Sequence, residues 1–244
     1  MRLFNYYPPN RDTTDKELEK KIFRHSLVFP VLFLLAFWLI KISEDVFGLN
    51  LTNWGIYPMH WKGIKGILLS PFVHGSYKHL MGNSVPFLVL SFTLFFFYRK
   101  LAYRIFALIY ILSGICVWFG AREAWHIGAS GVIYGLASFL FFSGIFRNDT
   151  MLLTISLTVV FLYGSLFWGI FPIEPEISWE GHLWGAISGI VLSVFYRNRG
   201  PKRPVPQWEE EENEDKGSDL MPGSEIEITY EIKEITKSTN NSES

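Results

Sequence analysis

Cysteine occurs once in this chain of 244 residues, as Cys116, which leaves no disulfide framework and no cysteine-based metal site to build on. Acidic residues are missing from the centres of its long apolar runs. No Asp or Glu lies inside the second to sixth runs, and Glu123 and Glu180 read as outer-loop residues, so a buried Ser-His-Asp arrangement has no obvious acid to draw on. His74 and His79 are five apart with no glutamate between them, which excludes an HExxH zinc pair. "GASGV" lacks the GxSxG spacing of the soluble-hydrolase elbow and follows no strand. No phosphate loop, dinucleotide fingerprint, nucleic-acid patch or internal repeat is found, and no metal or other cofactor is implied. The basic N-terminus leads into an apolar run without a small-residue cleavage site, so that run reads as an uncleaved anchor.

What the chain does have is apolar surface: 49% of its residues are hydrophobic and 17% aromatic. A bilayer needs about 20 apolar residues per helix. Six runs qualify, at about 26–43, 80–98, 104–121, 127–146, 151–172 and 181–197; the first is weakened by Pro30, and the last is short and holds His182 and three glycines. The fold class is therefore all-α, a polytopic six-span membrane bundle. Basic residues cluster before the first run (Arg2, Arg11, Lys16, Lys20, Lys21, Arg24), between the second and third (Arg99, Lys100, Arg104), after the fourth (Arg147) and after the sixth (Arg197, Arg199, Lys202, Arg203). By the positive-inside rule these segments and both termini are cytoplasmic.

Three regions follow: a polar cytoplasmic segment 1–25, a membrane domain 26–198, and a cytoplasmic tail 199–244 whose acidic composition reads as disordered. Within the tail, "EIEITYEI" at 225–232 alternates with the period of a strand and could dock on a partner's sheet edge. The first loop, about 44–79, is rich in aromatics; Trp54, Tyr57 and Trp61 suit a compact structure at headgroup depth.

Topology lets depths be compared. His79 and Asn83 fall at the outer end of span two, Ser130 near the outer end of span four, and His182 in the first turn of span six. Four polar residues far apart in sequence thus share one level, roughly 5–10 Å below the outer surface at about 1.5 Å of rise per residue. Each has a bland alternative. A membrane serine commonly returns its hydroxyl to the backbone, and an asparagine commonly joins helices. Glycines at 131 and 135 and at 181, 185 and 189 form smooth stripes on spans four and six. If these stripes pack, Ser130 and His182 meet at the top of the contact as nucleophile and general base, although glycine stripes also pack helices in proteins that catalyse nothing. Tyr134, one turn below Ser130, could set a ring or hydroxyl against His182. His79, Asn83 and the Ser130 amide could supply donors for an oxyanion.

These residues carry a resemblance. "HGSYKHLMGN" (His74, His79, Asn83), "GASGVIYG" (Gly128, Ser130, Gly131, Tyr134) and "GHLWGAISG" (His182, Gly185, Gly189), in that order on spans two, four and six, resemble the rhomboid intramembrane serine proteases over about 27–198. The resemblance implies Ser130 as nucleophile, His182 as base, and His79, Asn83 and the Ser130 amide as the oxyanion hole. It also implies a water-filled cavity open to the outside and a mobile fifth span and fifth loop ("FPIEPEISWEG") where a substrate helix enters. The implied partners are the lipid bilayer and single-span membrane-protein substrates in a bacterial plasma membrane; no oligomeric state is specified. Gly181 stands where the family often has alanine. The Trp-Arg pair of some first loops is absent, since Gly55 follows Trp54, so the resemblance does not extend to that loop's detail. A catalytically silent rhomboid-like binder of membrane clients is the alternative, less favoured because serine and histidine are both present. A transporter would place its polar groups nearer the midplane.

Overall fold

Backbone polar groups that meet lipid must be satisfied within their own segment, so the apolar runs form helices. The computed structural model describes residues 13–162, 169–172 and 178–199. Among them are α1 (Thr13–Val46), the short α2 (Trp61–Ile64) and α3 (Gly66–Leu69), α4 (Tyr77–Tyr98), α5 (Lys100–Gly120), α6 (Ser130–Arg147), α7 (Thr150–Leu162) and α8 (Trp179–Phe195). The only extended pairing among the described residues is the isolated Ile56–His126 bridge. The all-helical polytopic class read from the sequence is the class observed. Among the described residues, four helices are long and apolar enough to cross a membrane: Glu17–Val46, Tyr77–Tyr98, Leu101–Gly120 and Ser130–Arg147. The described part of α7 has 13 residues and α8 has 17, both below that length, so these helices alone do not establish six spans. The first twelve residues, residues 163–168 of span five, residues 173–177 of the fifth loop, and the tail with its 225–232 alternation lie outside the described residues.

Two boundaries differ from expectation for physical reasons. α1 starts at Thr13 rather than near 26 and runs through Pro30. Its first turns are rich in Glu and Lys, good helix formers, and Lys20 pairs with Glu17 at 2.9 Å. Glu180 is not a loop residue: it lies in the first turn of α8, 4% exposed. Ser178 caps that helix, its Oγ accepting the Gly181 N–H at 3.3 Å, and a carboxylate is favoured at a helix N-terminus.

The core is built by α4, α5 and α6 around Leu80, Phe87, Leu90, Ile105, Ile133 and Leu136, all fully buried. α1 lies against this core through Phe33 and Phe37, and Trp38 Nε1 donates to Ser84 Oγ of α4 at 3.1 Å. The outward face is apolar: Leu32, Leu39, Phe161 and Phe195 are each more than half exposed, a surface suited to hydrocarbon rather than water.

The first loop is tied down at several points. Lys41 at the end of α1 pairs with Glu44 at 3.0 Å and Asp45 at 3.2 Å, and Glu44 accepts the Leu51 N–H at 3.1 Å. Farther on, Trp118 Nε1 of α5 donates to the His60 carbonyl, and the Tyr110 hydroxyl donates to that of Leu68. Ile56 and His126 exchange both backbone hydrogen bonds at 2.9 and 2.8 Å, and Gly128 N–H donates to the Ser70 carbonyl at 2.9 Å. The segment leading into α6 therefore rests on a folded platform.

α6 and α8 make the closest helix contact. A Cβ added at Gly185 would strike the backbone carbonyl of Gly131, and one at Gly189 the carbonyl of Gly135. At the end away from Ser130, Arg147 closes the pair by donating to the carbonyls of Tyr196, at 2.6 Å, and Arg199. Gly185→Ala should force the helices apart and lower the thermal midpoint in detergent by an amount equivalent to about 1–3 kcal/mol. Gly82→Ala, whose added methyl meets nothing within 4 Å, serves as the control and should leave the midpoint near wild type.

Candidate active site

Ser130 is the first residue of α6, and His182 lies in the first turn of α8. The glycine contact brings the two helix starts together, so that Ser130 Oγ and His182 Nε2 are 2.8 Å apart. The other ring nitrogen, Nδ1, is 2.7 Å from the carbonyl oxygen of Gly169. A carbonyl can only accept, so this contact assigns the proton to Nδ1 and leaves the Nε2 lone pair to accept the serine hydroxyl proton. The Tyr134 ring stacks on the imidazole, with centroids 4.2 Å apart and planes 9° from parallel. His182 is thus held in plane by a ring, in tautomer by a carbonyl, and in depth by Gly181, Gly185 and Gly189.

Gly128 has φ of +104°, a conformation that L side chains rarely adopt, and this turns the chain sharply just before α6. A Cβ there would sit 2.7 Å from His79 Cε1 and 3.5 Å from Asn83 Nδ2. Both α4 side chains therefore face the segment just before Ser130. Asn83 is 7% exposed and its Nδ2 has no hydrogen-bond partner. The N–H of Ser130, at the start of a helix, has no intrahelical acceptor. A cavity of about 40 Å³, lined in part by Ser70, Ser113, His126, Ser130 and Ser178, adjoins the serine. Its size, and the hydroxyls and imidazole on part of its lining, suit water, which needs roughly 10–15 Å³ of such space.

Ser130, His182, Tyr134, Gly128, His79 and Asn83 lie in or against this cluster, Gly131, Gly185 and Gly189 lie along the α6–α8 contact, and His74 stands behind. His74 precedes α4, is 1% exposed, and packs between Phe37 and His79 with no partner at either ring nitrogen. Two contributors escaped the sequence reading. The Gly169 carbonyl, which orients His182, is backbone and has no residue signature. His126, buried behind the serine, has its side-chain partner Ser178 at 2.5 Å, 52 residues away.

Burial, with the His79 imidazole nearby, pushes the His74 pKa down from 6.5 to about 3. Between these values the unfolded chain binds a proton that the folded one refuses. Stability present above about pH 6.5 is therefore lost progressively as the pH falls towards 3. Thermal midpoints measured from about pH 7 to 4 should decline, and His74→Phe should make that decline shallower; an unchanged slope would assign the acid sensitivity elsewhere.

Comparison with known proteins identifies the family of the chain. The Rhomboid domain model matches residues 60–199. An uncharacterized protein of Mycobacterium tuberculosis is 32% identical over 172 residues, covering 67% of this chain and 72% of the relative. A Bacillus subtilis protein provisionally named a rhomboid protease is 31% identical over 148 residues, 59% of this chain and 70% of that one. A protein of Acanthamoeba polyphaga mimivirus, provisionally named a rhomboid protein, is 31% identical over 135 residues, 53% and 73% of the two chains. With a family model spanning more than half of its length and long apolar helices to match, this chain is an integral membrane protein that belongs to the rhomboid family.

Proposed function

We propose that this protein is an intramembrane serine endopeptidase that hydrolyses peptide bonds in or next to the transmembrane segments of single-span membrane proteins. The observation that carries the reading is the 2.8 Å contact between Ser130 Oγ and His182 Nε2, with Nδ1 committed to the Gly169 carbonyl. A serine and a correctly tautomeric imidazole at that distance form a nucleophile and its base. The membrane domain of this reading is 26–198 with six spans, flanked by cytoplasmic segments 1–25 and 199–244. The distribution of basic residues supports both termini inside and a site opening to the outer face of a bacterial plasma membrane.

In the reaction, Ser130 Oγ attacks the scissile carbonyl carbon while its proton passes to His182 Nε2. The charge developing on the carbonyl oxygen is met by the Ser130 amide, the Asn83 side-chain amide and His79. Collapse of the tetrahedral species breaks the C–N bond, and the leaving amine takes the proton back from Nε2. The resulting ester on Ser130 is then cleaved by water from the adjoining polar cavity, with His182 again as base. No carboxylate is needed in this scheme, since the Gly169 carbonyl and the Tyr134 ring do the orienting.

Purified protein incubated with a panel of single-span substrates should yield two fragments, and a fluorophosphonate probe should label Ser130. Ser130→Ala and His182→Ala should each reduce cleavage by about 10³-fold or more. Identical uncut substrate with wild type and both variants, together with an unlabelled Ser130, would overturn the enzyme reading in favour of a silent binder. Asn83→Ala and His79→Ala should lower kcat by about 10²–10³-fold where each donates to the oxyanion, with labelled Ser130 still detectable. Wild-type kcat in either variant would remove that residue from the oxyanion assignment.

A further inference from the structure

A second buried polar cluster lies behind Ser130 and links the segment before α6 to the first turn of α8. His126 and Glu180 are each 4% exposed, an unusual place for an imidazole and a carboxylate. His126 Nε2 is 3.0 Å from the Arg122 carbonyl and Nδ1 is 2.5 Å from Ser178 Oγ. Since the carbonyl only accepts, Nε2 carries the proton, and burial holds this loop imidazole below its usual range and hence neutral near pH 7. Nδ1 must then accept from the Ser178 hydroxyl. Ser178 Oγ in turn accepts the Gly181 N–H. The chain of hydrogen bonds has one direction throughout, from α8 through His126 to Arg122. The Arg122 side chain returns to the same helix turn, with Nε 3.5 Å from Glu180 Oε1.

The placement of this chain gives it a consequence for the dyad. The His126 backbone is already fixed by its two bonds to Ile56, independently of the side chain. Ser178 is the α8 cap and precedes His182 by four residues, about one turn. The glycine stripe sets how closely α8 approaches α6, but smooth glycine surfaces leave rotation and sliding weakly specified. A directional bond at the first turn supplies what the stripe lacks.

We infer that His126 is a positioning residue of the dyad, acting through Ser178 to fix the rotation and height of the first turn of α8 and so hold His182 Nε2 on Ser130. The inference rests on the hydrolase reading above and adds to it a residue that never touches substrate. Reactions of this kind are sensitive to about 1 Å of misplacement, at roughly 10²-fold in rate.

The test uses the full chain in detergent, with His126→Phe, Ser178→Ala, the double variant, and His126→Asn. Asparagine places an amide oxygen near the position of Nδ1 and restores an acceptor for Ser178 without a titrating ring. Three quantities are read per folded protein: the rate of fluorophosphonate labelling at Ser130, kcat and KM on a single-span substrate, and the thermal midpoint. Both single variants should slow labelling and kcat by about 10–100-fold with KM nearly unchanged. The double variant should be no slower than the singles, and His126→Asn should recover most of the rate. Wild-type labelling and kcat in both single variants, additive losses in the double, or no recovery with asparagine alongside a lowered midpoint would each overturn the positioning role. A wild-type chain that neither labels nor cleaves would instead overturn the hydrolase reading and this inference with it, so the two failures are told apart by the wild-type lane.

Discussion

Two helix backbones lie against each other with only glycine between them, and the geometry of the site descends from that contact. Residues 131 and 135 of α6 face 181, 185 and 189 of α8, and at 185 and 189 even a methyl group would meet a carbonyl of the opposite helix. In hydrocarbon there is no hydrophobic gain from pressing one apolar helix on another, so close packing of bare backbones supplies the attraction. The same closeness limits how far His182 can stand from Ser130. A wider separation, as leucine-sized side chains would enforce, would put the 2.8 Å contact out of reach.

The base is oriented without charge. A carboxylate behind His182 would have to be carried into a poorly solvated region, where an isolated ion is very costly. A backbone carbonyl has the acceptor strength to select the tautomer and none of that desolvation penalty, and the stacked Tyr134 ring adds orientation through its face. The buried carboxylate Glu180 is directed instead to Arg122. Glu180 is itself only 4% exposed, and it is the neutral carbonyl and ring that align His182.

Legibility in the sequence followed the range of each interaction. The helices at 77–98, 100–120 and 130–147 were readable within a few residues because an apolar run long enough to span lipid has few alternatives. The contact of α6 with α8 was readable because a repeat of glycine every fourth residue marks one helix face. Glu180 reads as a loop residue from the sequence because a helix start depends on its cap, and the bond from the Gly181 N–H to Ser178 Oγ shows only in the fold. The partnership of His126 with Ser178, and that of His182 with Gly169, had no signature to read: one joins residues 52 apart and the other involves a main-chain oxygen. The start of α1 was missed for the opposite reason, since a charged, amphiphilic stretch can be helical without being apolar.

In the proposed reaction, the unpartnered Nδ2 of Asn83 sets stability against turnover. A buried amide hydrogen without an acceptor raises the energy of the resting fold by about 1–3 kcal/mol. A leucine, alike in branching though larger, would remove the unmet donor and, where it fits, give a sturdier but slower protein. Random screens for thermal robustness would tend to find such a change, and the trade-off would then appear as a loss of turnover in survivors whose fold had improved.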